Sequence, residues 1–121
     1  MIRLSPKQFD RLVVEALETL PPFFQEVMSN VELVVEDWPS PDQLALAEGE
    51  MLLGLYEGIP LTERYSYNLV PPDVITLFQR PLEQSVDSLD ELRQEVRQTV
   101  IHEIAHHFGI DDDRLIELGV Y

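Results

Sequence analysis

The stretch from His102 to Asp112 reads His-Glu-Ile-Ala-His-His-Phe-Gly-Ile-Asp-Asp, and it constrains the fold more than any other part of the chain. His102 and His106 are four residues apart, so on an α-helix they share one face and lie about 6 Å apart along the axis. Two imidazole nitrogens presented in this way suit a zinc ion, which prefers a tetrahedral set of ligands. The stretch therefore predicts a helix that offers two ligands to one metal ion.

Glu103 lies on a neighbouring part of the same helical face, three residues before His106. A carboxylate at this place stands where a general base would act on a metal-bound water. The pattern H-E-x-x-H is a known signature of zinc proteases. It predicts Zn²⁺ as cofactor, His102 and His106 as metal ligands, and Glu103 as the catalytic base. The alternative role for Glu103 is to orient a zinc-bound histidine through a hydrogen bond.

A candidate third ligand follows the two histidines. Gly109 comes three residues after His106, and a glycine just past a helix commonly adopts a left-handed conformation that turns the chain. Such a turn would bring Asp111 or Asp112 back towards the metal. Side chains alternate in extended backbone, so the two aspartates would point in opposite directions. The local sequence leaves the choice between them open.

The motif resembles the extended pattern of metzincin-type zinc peptidases, with Asp112 in place of their third histidine. The longer run from Thr99 to Leu115, together with residues 53–62 and 75–78, resembles a family of small acidic bacterial proteins that are described as minimal zincin-like metallopeptidases. The Met-turn of the metzincins has no counterpart here, because all three methionines precede the motif.

This resemblance implies a zincin fold in which His102, His106 and Asp112 hold the zinc ion. It implies that the last strand borders a cleft above the motif helix. The register of the motif selects Asp112 over Asp111, which is left with Asp113 to cap a helix or to face solvent.

Composition narrows the class of protein. A length of 121 residues fits a single domain, 1–121, and the net charge of −15 disfavours nucleic acid as a partner because nucleic-acid binding depends on Lys and Arg. The chain has no cysteine, which suits a reducing cytoplasm. No stretch approaches the ~20 apolar residues of a membrane span, and the N-terminus does not have the pattern of a signal peptide. We therefore expect a cytoplasmic protein without a membrane partner.

Periodicity and capping patterns predict the remaining elements. Capping boxes at Ser5 and Ser88 start a first helix and the helix that carries the motif. Residues 42–48 are compatible with a helical turn or a loop. Pro21-Pro22 is expected to end the first helix or to offset a short second one at Phe23–Met28, and Asp113–Leu118 is compatible with one last short turn. Strands are predicted at Val31–Glu36, Met51–Tyr56 and Val74–Phe78. The apolar character of Met51–Tyr56 indicates a central strand, and Pro81 is expected to end the third strand.

These elements predict an α+β fold with a small antiparallel or mixed sheet of about three to four strands and helices packed on one face. Residues 57–72 follow neither helical nor strand periodicity, which is typical of a mobile or functional loop near a cleft. Tyr65, Tyr67 and Tyr121 are candidate oxyanion donors, although each is individually more typical of a structural tyrosine. His107 is expected to point away from the other two histidines.

The leading hypothesis for function is a zinc-dependent metallopeptidase that acts on peptides or unfolded proteins, with Glu103 as general base. The main alternative is a catalytically silent zinc-binding domain for protein interaction, because little chain follows the motif to complete a cleft. A third hypothesis is an acidic partner-binding module whose histidines serve structure alone. Zinc analysis separates the third hypothesis from the first two, and peptide hydrolysis separates the first from the second.

Overall fold

The structure, a computed structural model, describes residues 2–47, 51–58, 72–117 and 119. It contains helices and a small sheet, which confirms the predicted α+β class. The helices are α1 (Pro6–Leu17), α2 (Pro22–Met28), α3 (Pro41–Ala45), α4 (Gln79–Gln84), α5 (Leu89–His107) and α6 (Asp112–Glu117), and the strands are β1 (Val31–Glu36), β2 (Gly54–Glu57) and β3 (Asp73–Phe78).

Helix α1 begins as its sequence predicts. The Ser5 hydroxyl accepts a hydrogen bond from the Gln8 N–H at 3.1 Å, and the Gln8 side chain accepts one from the Ser5 N–H at 2.9 Å. This reciprocal pair satisfies two N–H groups that have no partner within the helix, and Pro6 suits the first helical position. Helix α1 then packs on α5 through a buried apolar face, which consists of Phe9, Leu12, Val13 and Ala16.

A second capping box starts a helix in residues 42–48, the segment for which the sequence allowed either a helical turn or a loop. Ser40 and Gln43 exchange equivalent hydrogen bonds of 3.1 and 2.7 Å, with Pro41 at the first helical position. Because the cap compensates for the cost of starting a helix, even the five-residue α3 forms here.

The sheet has the order β1-β3-β2, with β1 parallel and β2 antiparallel to β3. It is therefore mixed, as predicted, and all three predicted strands are present. Strand β3 lies in the centre because it carries four successive buried residues, Ile75 to Phe78. Ile75 and Leu77 point to the same face of β3 and join the hydrophobic core.

The prediction of a central strand at Met51–Tyr56 is wrong. Strand β2 is shorter, Gly54–Glu57, and among the strands that the structure describes it lies at an edge of the sheet. Its second neighbour is the helix α5, which packs against it. Apolar character reports burial and does not distinguish a covering helix from a covering strand, which explains the error.

Strand β3 ends at Phe78, as predicted, but Pro81 is not what ends it. A helix, α4, begins at Gln79 directly after the strand and contains Pro81. Pro81 occupies the third position of that helix, where its missing N–H would have had no helical partner in any case. The short helix therefore accommodates a residue that usually breaks longer ones.

The core lies between the sheet and the helices, and α5 is its main component. Seven residues of this helix are buried: Leu92, Val96, Thr99, Val100, Ile101, Ile104 and Ala105. Their burial places α5 across β2 and β3, with α1, α2 and α4 packed around it. Helix α5 is thus held on several sides, which gives a rigid support for the side chains of its last two turns.

Most of residues 57–72, the segment predicted as a loop near the cleft, lies outside the described residues. Residues 57, 58 and 72 are described, whereas 59–71 lie outside the described ranges, as do Tyr65, Tyr67 and Tyr121. Within those ranges, every helix is too short or too polar to cross a lipid bilayer.

Candidate active site

Helix α5 brings His102 and His106 together as their spacing predicts. The two imidazole rings lie nearly parallel, with an interplanar angle of 13° and a centroid separation of 6.3 Å. His102 is half-buried and His106 is exposed. Both rings border a cavity of about 620 Å³ between α5 and residues 51–54, and Glu103 borders the same cavity. The three polar groups of the motif therefore face one space.

The wall opposite the histidines is formed by the start of β2, which lies unusually close to α5. A Cβ atom added at Gly54 would stand 2.7 Å from Thr99 Cγ2 and 3.3 Å from the carbonyl oxygen of Thr76. Only a glycine fits at such an approach without displacing its neighbours. Gly54 thus allows the edge strand to lie directly on the motif helix.

Glu103 is fixed by the edge strand. Its Oε1 accepts a hydrogen bond of 3.0 Å from the backbone N–H of Tyr56, 47 positions earlier in the chain. Burial raises the pKa of the Glu103 carboxyl above its usual range, while the Tyr56 N–H and the imidazoles of His106 and His102 oppose this shift. A raised pKa makes the carboxylate a stronger base than an exposed glutamate.

The turn after α5 forms through Gly109, as predicted. Gly109 has φ 71°, its N–H donates to the carbonyl of His106 at 3.2 Å, and the N–H of Ile110 donates to Ala105 at 2.8 Å. These two bonds define a Schellman motif, which satisfies the last helical carbonyls and reverses the chain. Ile110 packs against the core and holds the turn in place.

The two candidate aspartates occupy different positions after this turn. Asp111 caps α6, because its Oδ1 accepts a hydrogen bond of 2.9 Å from the Arg114 N–H. Asp112 is the first residue of α6 and is exposed. A second hollow, of about 390 Å³, is bordered by both aspartates and by His106. Helix capping by Asp111 agrees with the role expected for it.

Asp112 lies beside His106, at the hollow that both residues border. Among the residues that the structure describes, no three His, Asp or Glu side chains are grouped so as to hold a metal ion. His106 borders both the main cavity and the hollow beside Asp112. His102 and His106 therefore converge as predicted, while Asp112 stays a predicted ligand beside them.

The sequence of the chain matches a known protein family. A sequence model of a family described as zincin-like metallopeptidases matches residues 28–120, which include the sheet, α5 and the whole motif. The chain belongs to the zincin-like metallopeptidase family. The resemblance stated from the motif is therefore confirmed, and so is the zincin-like fold.

The fold is also similar to that of a conserved hypothetical protein from T. thermophilus. The two share 23% sequence identity with a TM-score of 0.54, over 87% of this chain and 94% of that one. At this identity the similarity concerns the fold alone. No curated protein matches the sequence.

The donor set of this zincin-like chain fits zinc at two positions. Two imidazoles at helical spacing, on one buried helix and facing one cavity, are the ligands that zinc takes in zincins. Glu103 stands beside them without being one of the pair, and its Oε1 is engaged by Tyr56. The chemistry of these side chains suits a zinc site with an adjacent base.

Sequence reasoning missed Tyr56, Asp73 and the contact made by His107. The His107 ring stacks on the Tyr56 ring, with centroids 4.1 Å apart and an interplanar angle of 23°. His107 points to the edge strand and away from the cavity, as expected. The signal available in the sequence was its spacing, since His107 lies four residues after Glu103 and shares a helical face with it.

Proposed function

We propose that this chain is a zinc-dependent peptidase in which His102, His106 and Asp112 hold the zinc ion and Glu103 is the general base. The observation that carries the proposal is the convergence of His102, His106 and Glu103 on one cavity of a chain that belongs to the zincin-like metallopeptidases. When bound, zinc would act as a Lewis acid towards water and a peptide carbonyl.

Glu103 supplies the proton transfers. Its Oε1 is held by the Tyr56 N–H at 3.0 Å, so Oε2 is the oxygen that accepts a proton from the attacking water. The same oxygen then passes the proton to the nitrogen of the departing amine. The pKa of Glu103, raised by burial, favours both steps, because a catalyst works best when its pKa approaches the working pH.

The proposed substrates are short peptides or unfolded proteins. The cavity at the motif opens between one helix and an edge strand, with apolar residues such as Met51 and Leu52 along one side. An extended chain can enter a space of this shape more easily than a folded domain. The charge of −15 favours basic over acidic substrates through long-range attraction. A reducing cytoplasm stays the expected compartment.

The first test measures zinc and hydrolysis together. The purified protein, loaded with zinc and dialysed, should retain one ion per chain by elemental analysis. His102→Ala and His106→Ala should each lose it, because two imidazoles form the core of the proposed site. The loaded protein should cleave members of a broad peptide library, and a chelator should stop cleavage. Gln94→Ala, an exposed substitution earlier in α5, serves as the control.

The outcomes separate the candidate functions. Retained zinc without cleavage of any peptide would favour the silent zinc-binding interaction domain. Failure to retain zinc would contradict both functions and leave the histidines with a structural role.

A further inference from the structure

A second pair of side chains on α5 repeats the spacing of the two histidines. Glu103 and His107 are four residues apart, so they share a face that is rotated from the face of His102 and His106. The first pair borders the cavity, as Glu103 also does, and both members of the second pair contact Tyr56 of β2. One tyrosine is therefore held by two successive turns of the motif helix.

The backbone of Tyr56 meets Glu103 because of the strand pairing. The N–H of Phe78 donates to the Leu53 carbonyl at 3.0 Å, so the backbone polar groups of Leu53 point towards β3. Along an antiparallel strand, the N–H and C=O groups of successive residues point alternately towards and away from the partner strand. Tyr56 is three residues after Leu53, so its N–H points away from β3. That outer edge is the side from which Glu103 accepts its hydrogen bond.

The side chain of Tyr56 is fixed at its other end by the central strand. Its hydroxyl donates to Asp73 Oδ2 at 2.6 Å, and Asp73 is the first residue of β3. His107 Nε2 lies 3.9 Å from the same oxygen. A Cβ at Gly58 would stand 2.9 Å from His107 Cε1, so the chain after β2 passes directly against this ring.

These contacts compensate for a weakness of β2. The strand has four residues and, within the described part of the chain, pairs with β3 alone, and so short a strand gains little stability from one pairing. The stacking of Tyr56 on His107 and its hydroxyl bond to Asp73 therefore add to strand pairing in holding the Tyr56 N–H in place. That N–H in turn orients the Glu103 carboxylate.

We propose that His107 is a positioning residue for Glu103 and acts through Tyr56. Its ring, together with Asp73, clamps the Tyr56 side chain so that the backbone N–H of Tyr56 holds Glu103 Oε1. The effect on reaction rate rests on the proposed peptidase function. The effect on the Tyr56–Glu103 hydrogen bond does not, because it follows from contacts among residues of this chain alone.

The test follows this hydrogen bond by NMR in His107→Ala. The Tyr56 amide should exchange about three- to tenfold faster, the range expected for the loss of one stacked aromatic contact. The Tyr56 amide proton should shift towards its position in Glu103→Ala, where the side chain offers no acceptor to the Tyr56 N–H. The Glu103 carboxyl carbon should shift in concert. His107→Phe, which keeps a ring for stacking, should restore the Tyr56 signals, and Gln94→Ala should leave them unchanged.

Kinetics add a second readout. If Glu103 loses its orientation, His107→Ala lowers kcat about tenfold and leaves KM nearly unchanged, because the interaction is used in the transition state. His107→Phe recovers most of the rate.

Two results would overturn the inference. One is a Tyr56 amide that exchanges as slowly in His107→Ala as in the unmodified protein. The other is faster exchange at Tyr56 with an unmoved Glu103 carbon and an unchanged kcat, which would give His107 a purely structural role. If the unmodified protein cleaves no peptide, the proposed function fails, and the NMR signals of Tyr56 and Glu103 still decide the inference.

Discussion

Glu83 and Glu103 are two carboxylates that this fold removes from solvent in different ways. Glu83 is 1% exposed, and polar groups surround both of its oxygens. Oε2 accepts from the Leu4 N–H at 2.7 Å and from Gln79 Nε2 at 3.2 Å, while Oε1 accepts from the Arg80 guanidinium at 2.7 Å. The backbone carbonyl of Glu83 also accepts from the Ile2 N–H. Glu83 thus fastens the N-terminal segment to α4.

Glu103 has a different environment. One of its oxygens accepts a backbone hydrogen bond from Tyr56, and the residue borders a cavity beside two imidazoles. Burial dominates its pKa and raises it. The comparison shows that burial alone does not reveal the role of a carboxylate. Donors on both oxygens make Glu83 a structural anchor, whereas a half-buried carboxylate that borders a cavity, such as Glu103, suits catalysis.

The largest expected effects come from replacing each of the two glutamates, Glu103 and Glu83, by glutamine. Glu103→Gln should lower peptide hydrolysis by ~10²-fold or more, because an amide cannot act as a base, and should retain both zinc and fold. Glu83→Gln should lower the free energy of unfolding by about 2–4 kcal/mol, because the Arg80 guanidinium loses its buried counter-charge. Urea titration and a peptide assay measure both quantities. The comparison fails if Glu103→Gln unfolds the protein, or if Glu83→Gln is inactive yet fully stable.

Asp111 and Asp112 extend the comparison to adjacent residues. Asp111 is engaged as a helix cap, so Asp111→Ala should leave zinc affinity nearly unchanged and lower the free energy of unfolding by about 1 kcal/mol. Asp112→Ala should weaken zinc binding by at least ~10–100-fold, the range known even for groups that only support a ligand. Zinc titration of both variants measures the difference. Equal affinities would remove Asp112 from the proposed ligand set.

A smaller effect concerns the pH dependence of stability in the metal-free protein. The pKa of Glu103 in the folded chain is raised above its ordinary value of 4.5, so the unfolded chain releases this proton at a lower pH. Between the pKa of the unfolded chain and the higher pKa of the folded chain, Glu103 is protonated more fully in the folded state. The free energy of unfolding of the unmodified protein therefore falls as the pH rises through this range. The stability of Glu103→Gln relative to the unmodified protein should therefore increase from about pH 4 upwards and level off above the folded pKa. Urea unfolding at a series of pH values, with a chelator present, follows this difference. A difference that is flat or falls with pH would show that burial does not control this carboxyl.

Local patterns determined much of this structure. The capping boxes at Ser5 and Ser40, the spacing of His102 and His106, and the left-handed turn at Gly109 all involve residues at most five positions apart. Hydrogen bonds and side-chain contacts over such distances depend on backbone geometry that the chain adopts by itself. The motif could therefore be placed on a helix, with its two histidines together, from the sequence alone.

The tertiary structure decided everything that depends on distant partners. The edge position of β2, the bond from Tyr56 to Glu103 and the anchoring of Leu4 by Glu83 join residues from different elements. The apolar character of Met51 to Tyr56 predicts burial, but a helix and a strand can each provide it. The role of a buried glutamate likewise depends on which donors the folded chain brings to its oxygens. Gln79 and Arg80 are local donors to Glu83, within one turn of the same helix. The Tyr56 donor lies 47 residues from Glu103 and the Leu4 donor lies 79 residues from Glu83, so only the packing of the whole core brings these two donors to their carboxylates.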